Sequence, residues 1–168
     1  MGFAESVKTC LSRFATFSGR ASRPEYWWFV LFVALGAMIL SILDSLVFGA
    51  SPDLTKVFAP LWQLALFIPL LAAGWRRLHD TGRPGWWLLI PMLVTLAFIL
   101  ALFAGIFAFA GAERAGVDPE ALRGPAALLG VTGMTIASIV QLVLAVLMLW
   151  WLTRPGDEKD NAYGRPAR

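Results

Sequence analysis

Apolar residues fall along this chain in four long blocks, Trp27–Phe48, Val57–Trp75, Trp86–Ala110 and Ala126–Leu152, separated by short polar stretches. Each block holds 19 to 27 residues, enough to meet the roughly 20 that a helix needs to cross a hydrocarbon core about 30 Å thick. Backbone groups in lipid must find partners inside their own segment, so blocks of this length predict helices and not strands. Ahead of them, Phe3, Val7, Leu11 and Phe14 recur at helical spacing around Lys8, Ser12 and Arg13, which predicts an amphipathic helix over residues 3–17. Such a helix fits the inner leaflet of a membrane. It fits a cap folded over the helix ends equally well, since periodicity does not say whether the apolar partner is lipid or protein. The predicted architecture is an all-α membrane protein. An interfacial segment (1–20) precedes a four-helix transmembrane bundle (21–153, with spans of about 26–48, 57–75, 86–110 and 126–152), and a polar tail (154–168) follows.

Local signals place the helix ends. Ser22-Arg23-Pro24-Glu25 has capping-box spacing with proline in the first turn, and Tyr26, Trp27 and Trp28 then lie at headgroup depth. Ala34, Ala37, Ser41 and Ser45 form a small-residue stripe expected to face other helices, with Asp44 on the same side. At its depth, Asp44 is either an interfacial carboxylate near Lys56 or Gln63, or an ion or proton site. Ser51-Pro52-Asp53 reads as an outer turn, and Pro69 interrupts the second span. Ala97, Ala101, Ala104 or Gly105, and Ala108 on the third span, and Ala126, Gly130, Gly133, Ala137 and Gln141 on the fourth, predict helix contact faces. Asp118-Pro119-Glu120 signals a short surface helix in the loop between these two spans, and Asn161-Ala162-Tyr163-Gly164 signals a turn in the tail.

Composition removes whole classes of function. With 58% hydrophobic and 15% charged residues the chain departs far from soluble proteins. The first block follows a polar, interrupted segment without a small-residue cleavage site, so it is expected to stay attached and not to be a cleaved signal. The single Cys10 excludes an intramolecular disulfide. Charge sets orientation: Lys8, Arg13, Arg20, Arg23, Arg76, Arg77, Arg83, Arg154, Lys159, Arg165 and Arg168, eleven of the fourteen basic residues, fall on one side of the predicted spans. By the positive-inside rule both termini and the central loop are expected in the cytoplasm. The pI near 9.5 belongs to that face, which points to anionic lipid headgroups as partner and to no nucleic acid.

Candidate chemistry concentrates between the second and third spans, in Arg76-Arg77-Leu78-His79-Asp80-Thr81-Gly82-Arg83-Pro84-Gly85-Trp86-Trp87, read as a cytoplasmic elbow. Arg20, Arg23, Arg76, Arg77 and Arg83, with His79 and Asp80, are expected to gather where Trp27, Trp28, Trp75, Trp86 and Trp87 anchor at the bilayer surface. Guanidinium groups bind phosphate in bidentate fashion, and indoles prefer the same depth. Positive-inside topology and an aromatic belt account for each of these residues taken singly. His79 beside Asp80 suggests a general base, and thus a lipid-modifying enzyme. Neighbours on a helix do not face each other, however, so Asp80 is expected to pair with an arginine or cap the third span, and His79 to bond a backbone carbonyl. Asp44, Gln63 and Gln141 would line a route if the chain were a subunit of an oligomeric transporter. One histidine and one cysteine, far apart, support no metal site, and no phosphate-loop, Gly-x-Ser-x-Gly or dinucleotide fingerprint is present. No cofactor is expected. The function expected is a structural or regulatory membrane module that binds anionic lipid or a membrane-protein partner, a second copy included.

Phe17-Ser18-Gly19-Arg20-Ala21-Ser22-Arg23-Pro24-Glu25-Tyr26-Trp27, Asp44, the whole elbow from Arg76 to Trp87, Pro155-Gly156 and Asn161-Ala162-Tyr163-Gly164 together resemble the bacterial domain-of-unknown-function family eight hundred and five. The resemblance runs from about residue 14 to 166. It implies a small polytopic protein of the bacterial inner membrane with no established activity. The chain departs from the usual elbow at Arg83-Pro84, where a serine more often precedes the glycine, and in its longer outer loop.

Overall fold

A computed structural model describes residues 1–49 and 56–167. The expected turn at Ser51-Pro52-Asp53 and the terminal Arg168 lie outside the described residues. The chain is all-helical: α1 (Phe3–Ser12), α2 (Arg23–Phe48), α3 (Phe58–Asp80), a short 3₁₀ turn (Gly85–Leu89), α4 (Ile90–Arg114) and α5 (Pro119–Thr153). Among the described residues four helices are long and apolar enough to cross a membrane: Arg23–Phe48, Phe58–Asp80, Gly85–Arg114 and Ala126–Thr153.

Residues 1–87 and 151–168 form one compact unit and residues 88–150 a second. In the first, α2 packs along α3 and α1 lies against both. Helix α2 starts where its cap predicts, with Ser22 Oγ accepting the Glu25 N–H at 3.4 Å and proline in the first turn. Its contact with α3 does not run along the predicted stripe, since Ala34 and Ser41 are exposed. It runs through Val33, Gly36 and Asp44: the Trp62 ring of α3 lies where a Cβ on Gly36 would overlap it, Trp62 Nε1 donates to Val33 O at 3.0 Å, and Asp44 accepts the Ala59 N–H at 2.8 Å. One glycine that admits an indole decides the face, and a row of alanines and serines does not.

Helix α1 ends at Ser12, five residues short of the periodic pattern, because the chain must turn at Arg13 and Gly19 (φ +84°) to bring Phe17 onto Trp75, ring centroids 5.5 Å apart. The face it packs inward is small and polar. Ser6 and Cys10 are buried, with Ser6 Oγ donating to Gly2 O at 2.8 Å, while Phe3, Leu11 and Phe14 stay exposed. Phe3 meets Trp28 edge-on at 5.9 Å, so this apolar edge continues onto α2.

Helix α3 carries Arg76, Arg77, His79 and Asp80 in its last turns, so most of the charged part of the predicted elbow is helix. The helix closes in a Schellman motif. Gly82 (φ +69°) donates to His79 O at 3.1 Å and Arg83 to Leu78 O at 3.0 Å, which stops the helix after Asp80, five residues beyond the predicted end of the span at Trp75.

Helix α5, whose residues up to Trp150 belong to the second unit, is one helix of 35 residues. The predicted surface helix and the fourth span are therefore continuous. Asp118 Oδ1 accepts the Glu120 N–H at 3.0 Å at its start, and neither Gly124 nor the apolar boundary at Ala126 breaks its ladder. The small faces of α4 and α5 are not in contact: Ala101, Gly105 and Ala108 look across a cleft of about 730 Å³ at Ala126, Gly130 and Gly133. Phe98, Leu102, Phe109 and Leu129 occupy the same space, so the stripes lack the unbroken small surface that close approach in lipid requires.

Candidate functional site

The end of α3 collects three parts of the chain that are far apart in sequence. Asp80 stands at the centre, buried, and takes one guanidinium on each oxygen: Arg20 Nε at 2.8 Å from Oδ1 and Arg77 Nη1 at 2.6 Å from Oδ2. Two buried cations on one carboxylate leave donors over, and these go to main-chain carbonyls. Arg20 Nη1 donates to Lys159 O (2.9 Å) and Gly164 O (3.2 Å), and its Nη2 donates to Asp80 O (3.3 Å) and Asp157 O. Arg77 Nε donates to Leu152 O at 3.1 Å and Nη2 to Arg154 O. The carbonyls at the C-terminal end of α5, which no further helical turn satisfies, thus find Arg77, Trp27 Nε1 (3.3 Å to Leu152 O) and Arg23 Nη1 (3.5 Å to Thr153 O).

The tail lies folded onto this centre. Asp157 N–H donates to Asp80 O at 2.8 Å, Asn161 Nδ2 to His79 O at 3.0 Å, and Tyr163 stacks flat on the His79 imidazole with ring centroids 3.8 Å apart. Two glycines permit close contacts around this centre. A Cβ on Gly156 would overlap the Asp80 carboxylate, and one on Gly85 would overlap the Trp75 ring. His79 Nδ1 donates to Gly19 O at 3.1 Å, and the imidazole is shared between Trp75 and Tyr163.

Arg76 points away from Asp80, to a second buried group. Its guanidinium is fully buried 3.4 Å from Glu25 Oε1, beside Cys10, whose Sγ lies 3.8 Å from Glu25 O. Burial first, and then the Glu25 carboxylate, push the Cys10 thiol up to about 12, against a partial opposing pull from Arg76.

The remaining predicted residues stand on the rim. Arg23 is exposed; Arg83 is half-buried, its guanidinium 5.1 Å above the Trp151 ring, and it donates to Thr81 O at 3.1 Å. Trp86 is exposed next to Trp87, which meets Trp151 edge-on at 4.7 Å. Tyr26 is buried, Trp27 half-buried and Trp28 exposed.

The polar residues assigned to the spans are divided between the two units. Asp44 is buried and caps α3 from α2, accepting the N–H groups of Val57 (3.0 Å), Phe58 (2.9 Å) and Ala59 (2.8 Å). Three donors of a helix N-terminus account for this carboxylate without an ion. Gln63 is exposed on α3. Gln141 belongs to the second unit, where it lines a cleft of about 320 Å³ with Met92, Thr95 and Ile99. Among the described residues no group of three His, Cys, Asp or Glu side chains could hold a metal ion.

Sequence reasoning missed Gly19, Leu152, Asp157, Lys159 and Arg154 as parts of the site. They act mostly through backbone atoms, which carry no residue signature. The Pro155-Gly156 and Asn161-to-Gly164 motifs were the available signal.

Comparison with known proteins agrees with this distribution of motifs. The family described as protein of unknown function (DUF805) matches residues 14–165. Inner membrane protein YhaI of Escherichia coli (strain K12) is 36% identical over 111 residues, 66% of this chain and 91% of that protein. Inner membrane protein YhaH of the same organism is 30% identical over 111 residues, 66% of this chain and 92% of that protein. No solved structure matches.

Proposed function

The chain belongs to the DUF805 family of inner-membrane proteins of unknown function, and from that premise we propose a non-enzymatic structural or regulatory module that engages anionic lipid headgroups. In this reading the spans form a bundle with both termini and the 76–87 segment on the cytoplasmic side, and α1 lies in the inner leaflet on its exposed Phe3, Leu11 and Phe14 edge. The clustering of eleven of the fourteen basic residues supports that orientation.

The observation that carries the proposal is a division of labour among the arginines. Arg20 and Arg77 are turned inward on Asp80 and main-chain carbonyls, and Arg76 on Glu25. Arg23 and Arg83 both flank the 151–153 segment from outside it, one through Thr153 O and the other over Trp151. Exposed Trp28 and Trp86 supply the aromatic anchors. A cation near an anionic surface contributes about 1 kcal/mol, roughly fivefold in affinity. The Arg23→Ala, Arg83→Ala protein should therefore lose most of its preference for phosphatidylglycerol over phosphatidylcholine in native mass spectrometry, with thermal stability held. Undiminished preference rejects the proposal. His79 favours no catalytic reading, because its Nδ1 is committed to Gly19 O and Asp80 to two arginines.

A further inference from the structure

The tail contacts that satisfy Arg20 have the character of a ligand. Nη1 and Nη2 reach it only through the main-chain carbonyls of Asp157, Lys159 and Gly164, oxygen acceptors set around a planar fork as phosphate oxygens would be. The covering segment Asp157-Glu158-Lys159-Asp160 is itself acidic, with three carboxylates against one cation. It is exposed along its outer side. Apart from Arg20, the described contacts that hold it are the Asp157 N–H bond to Asp80 O, the Asn161 bond to His79 O and the Tyr163–His79 stack. Beneath it, Asp80 offers one negative charge to two guanidinium groups whose side chains are buried, so the positive charge exceeds the negative once the tail is lifted.

We propose that Arg20 is a latent phosphate site and that residues 157–164 occupy it as an internal competitor. The ligand is a phosphate of net negative charge, carried on an anionic lipid headgroup or free in solution, and it trades places with the tail carbonyls. This deepens the lipid-binding reading above and rests on it: the rim arginines bring the headgroup near, and the buried Arg20 receives it when the tail yields.

The experiment compares, in the same nanodiscs, the full chain, a chain ending at Arg154, and a full-length Asn161→Ala, Tyr163→Ala protein in which the latch is weakened and the chain kept whole. Phosphatidylglycerol and phosphatidylcholine retention is read by native mass spectrometry, with and without inorganic phosphate. Shortening the chain should raise phosphatidylglycerol retention about tenfold, as expected for freed charge-assisted donors. The latch variant should move the same way by less, and it decides the matter if the shortened chain does not fold. Adding Arg20→Gln should erase the gain, and inorganic phosphate should displace the gained lipid. No gain in either protein overturns the proposal, as does a gain that survives Arg20→Gln or that phosphatidylcholine matches. The full-length Arg23→Ala, Arg83→Ala protein separates the two levels. If it loses lipid preference while the shortened chain gains none, the latent site falls and the rim reading stands.

Discussion

The two units solve the problem of membrane packing in opposite ways. The unit made of residues 1–87 and 151–168 is held by buried ions: Asp80 with Arg20 and Arg77, Glu25 with Arg76, and Asp44 on three amides of α3. The α4–α5 unit has no buried charge among its described residues and leaves its alanine and glycine faces open to a cleft. Lipid is as apolar as leucine, so nothing but close fit joins two apolar helices, whereas an unpaired charge at the bilayer edge forces its partners together. The charged unit is therefore expected to be intolerant of single changes and the apolar one tolerant.

The largest break should come from Asp80→Ala. Removing the carboxylate leaves two buried arginines facing each other, and loss of one partner of a buried pair costs roughly 3–5 kcal/mol, read as a lowered midpoint in detergent unfolding. Next are Gly156→Ala and Gly36→Ala, whose new methyl groups would overlap the Asp80 carboxylate and the Trp62 ring. Overpacking of this kind costs about 1–3 kcal/mol. Asp44→Ala should cost roughly 1–2 kcal/mol, in the range of a lost helix cap, with Asn intermediate because it keeps one acceptor. Cys10 sharpens the contrast through pH. Its pKa rises from 9.0 to about 12 on folding, so the unfolded chain releases this proton first. The thiol should weaken the fold as pH climbs from 9 toward 12 and leave it unaffected below 9. In the folded protein it should resist maleimide at pH 8 until denaturant is added. Smallest of all, Gly130→Ala and Gly133→Ala meet open space and should change stability by less than about 0.5 kcal/mol. Losses above 2 kcal/mol there would erase the distinction between the units.

The spans, the Ser22 cap and the gathering of basic residues were legible in the sequence, because hydrophobic length, capping spacing and charge bias are local signals. The direction in which each arginine points was not. Arg20 meets Lys159 and Gly164 through carbonyls that any residue would carry, and Arg76 and Arg77, adjacent in sequence, turn to different carboxylates because a helix sends neighbours about 100° apart. In the sequence Asp44 fits an interfacial carboxylate and an ion or proton site equally, because the groups that donate to it, the first amides of α3, lie 13 to 15 residues further on. The small faces of α4 and α5 carried the expected residues, but complementarity to a partner surface is a property of two helices together and no single periodicity encodes it.

A double-mutant cycle on Arg20 and Asp80 tests most directly whether the arginine motif is an internal clasp that joins the beginning, middle and end of the chain. Unfolding free energies of the Arg20→Gln, Asp80→Asn and combined proteins should yield a coupling of roughly 1.5–3 kcal/mol, as for buried partners in contact. Effects that add to within about 0.5 kcal/mol would mean that the two side chains do not hold each other, and the clasp would be contradicted.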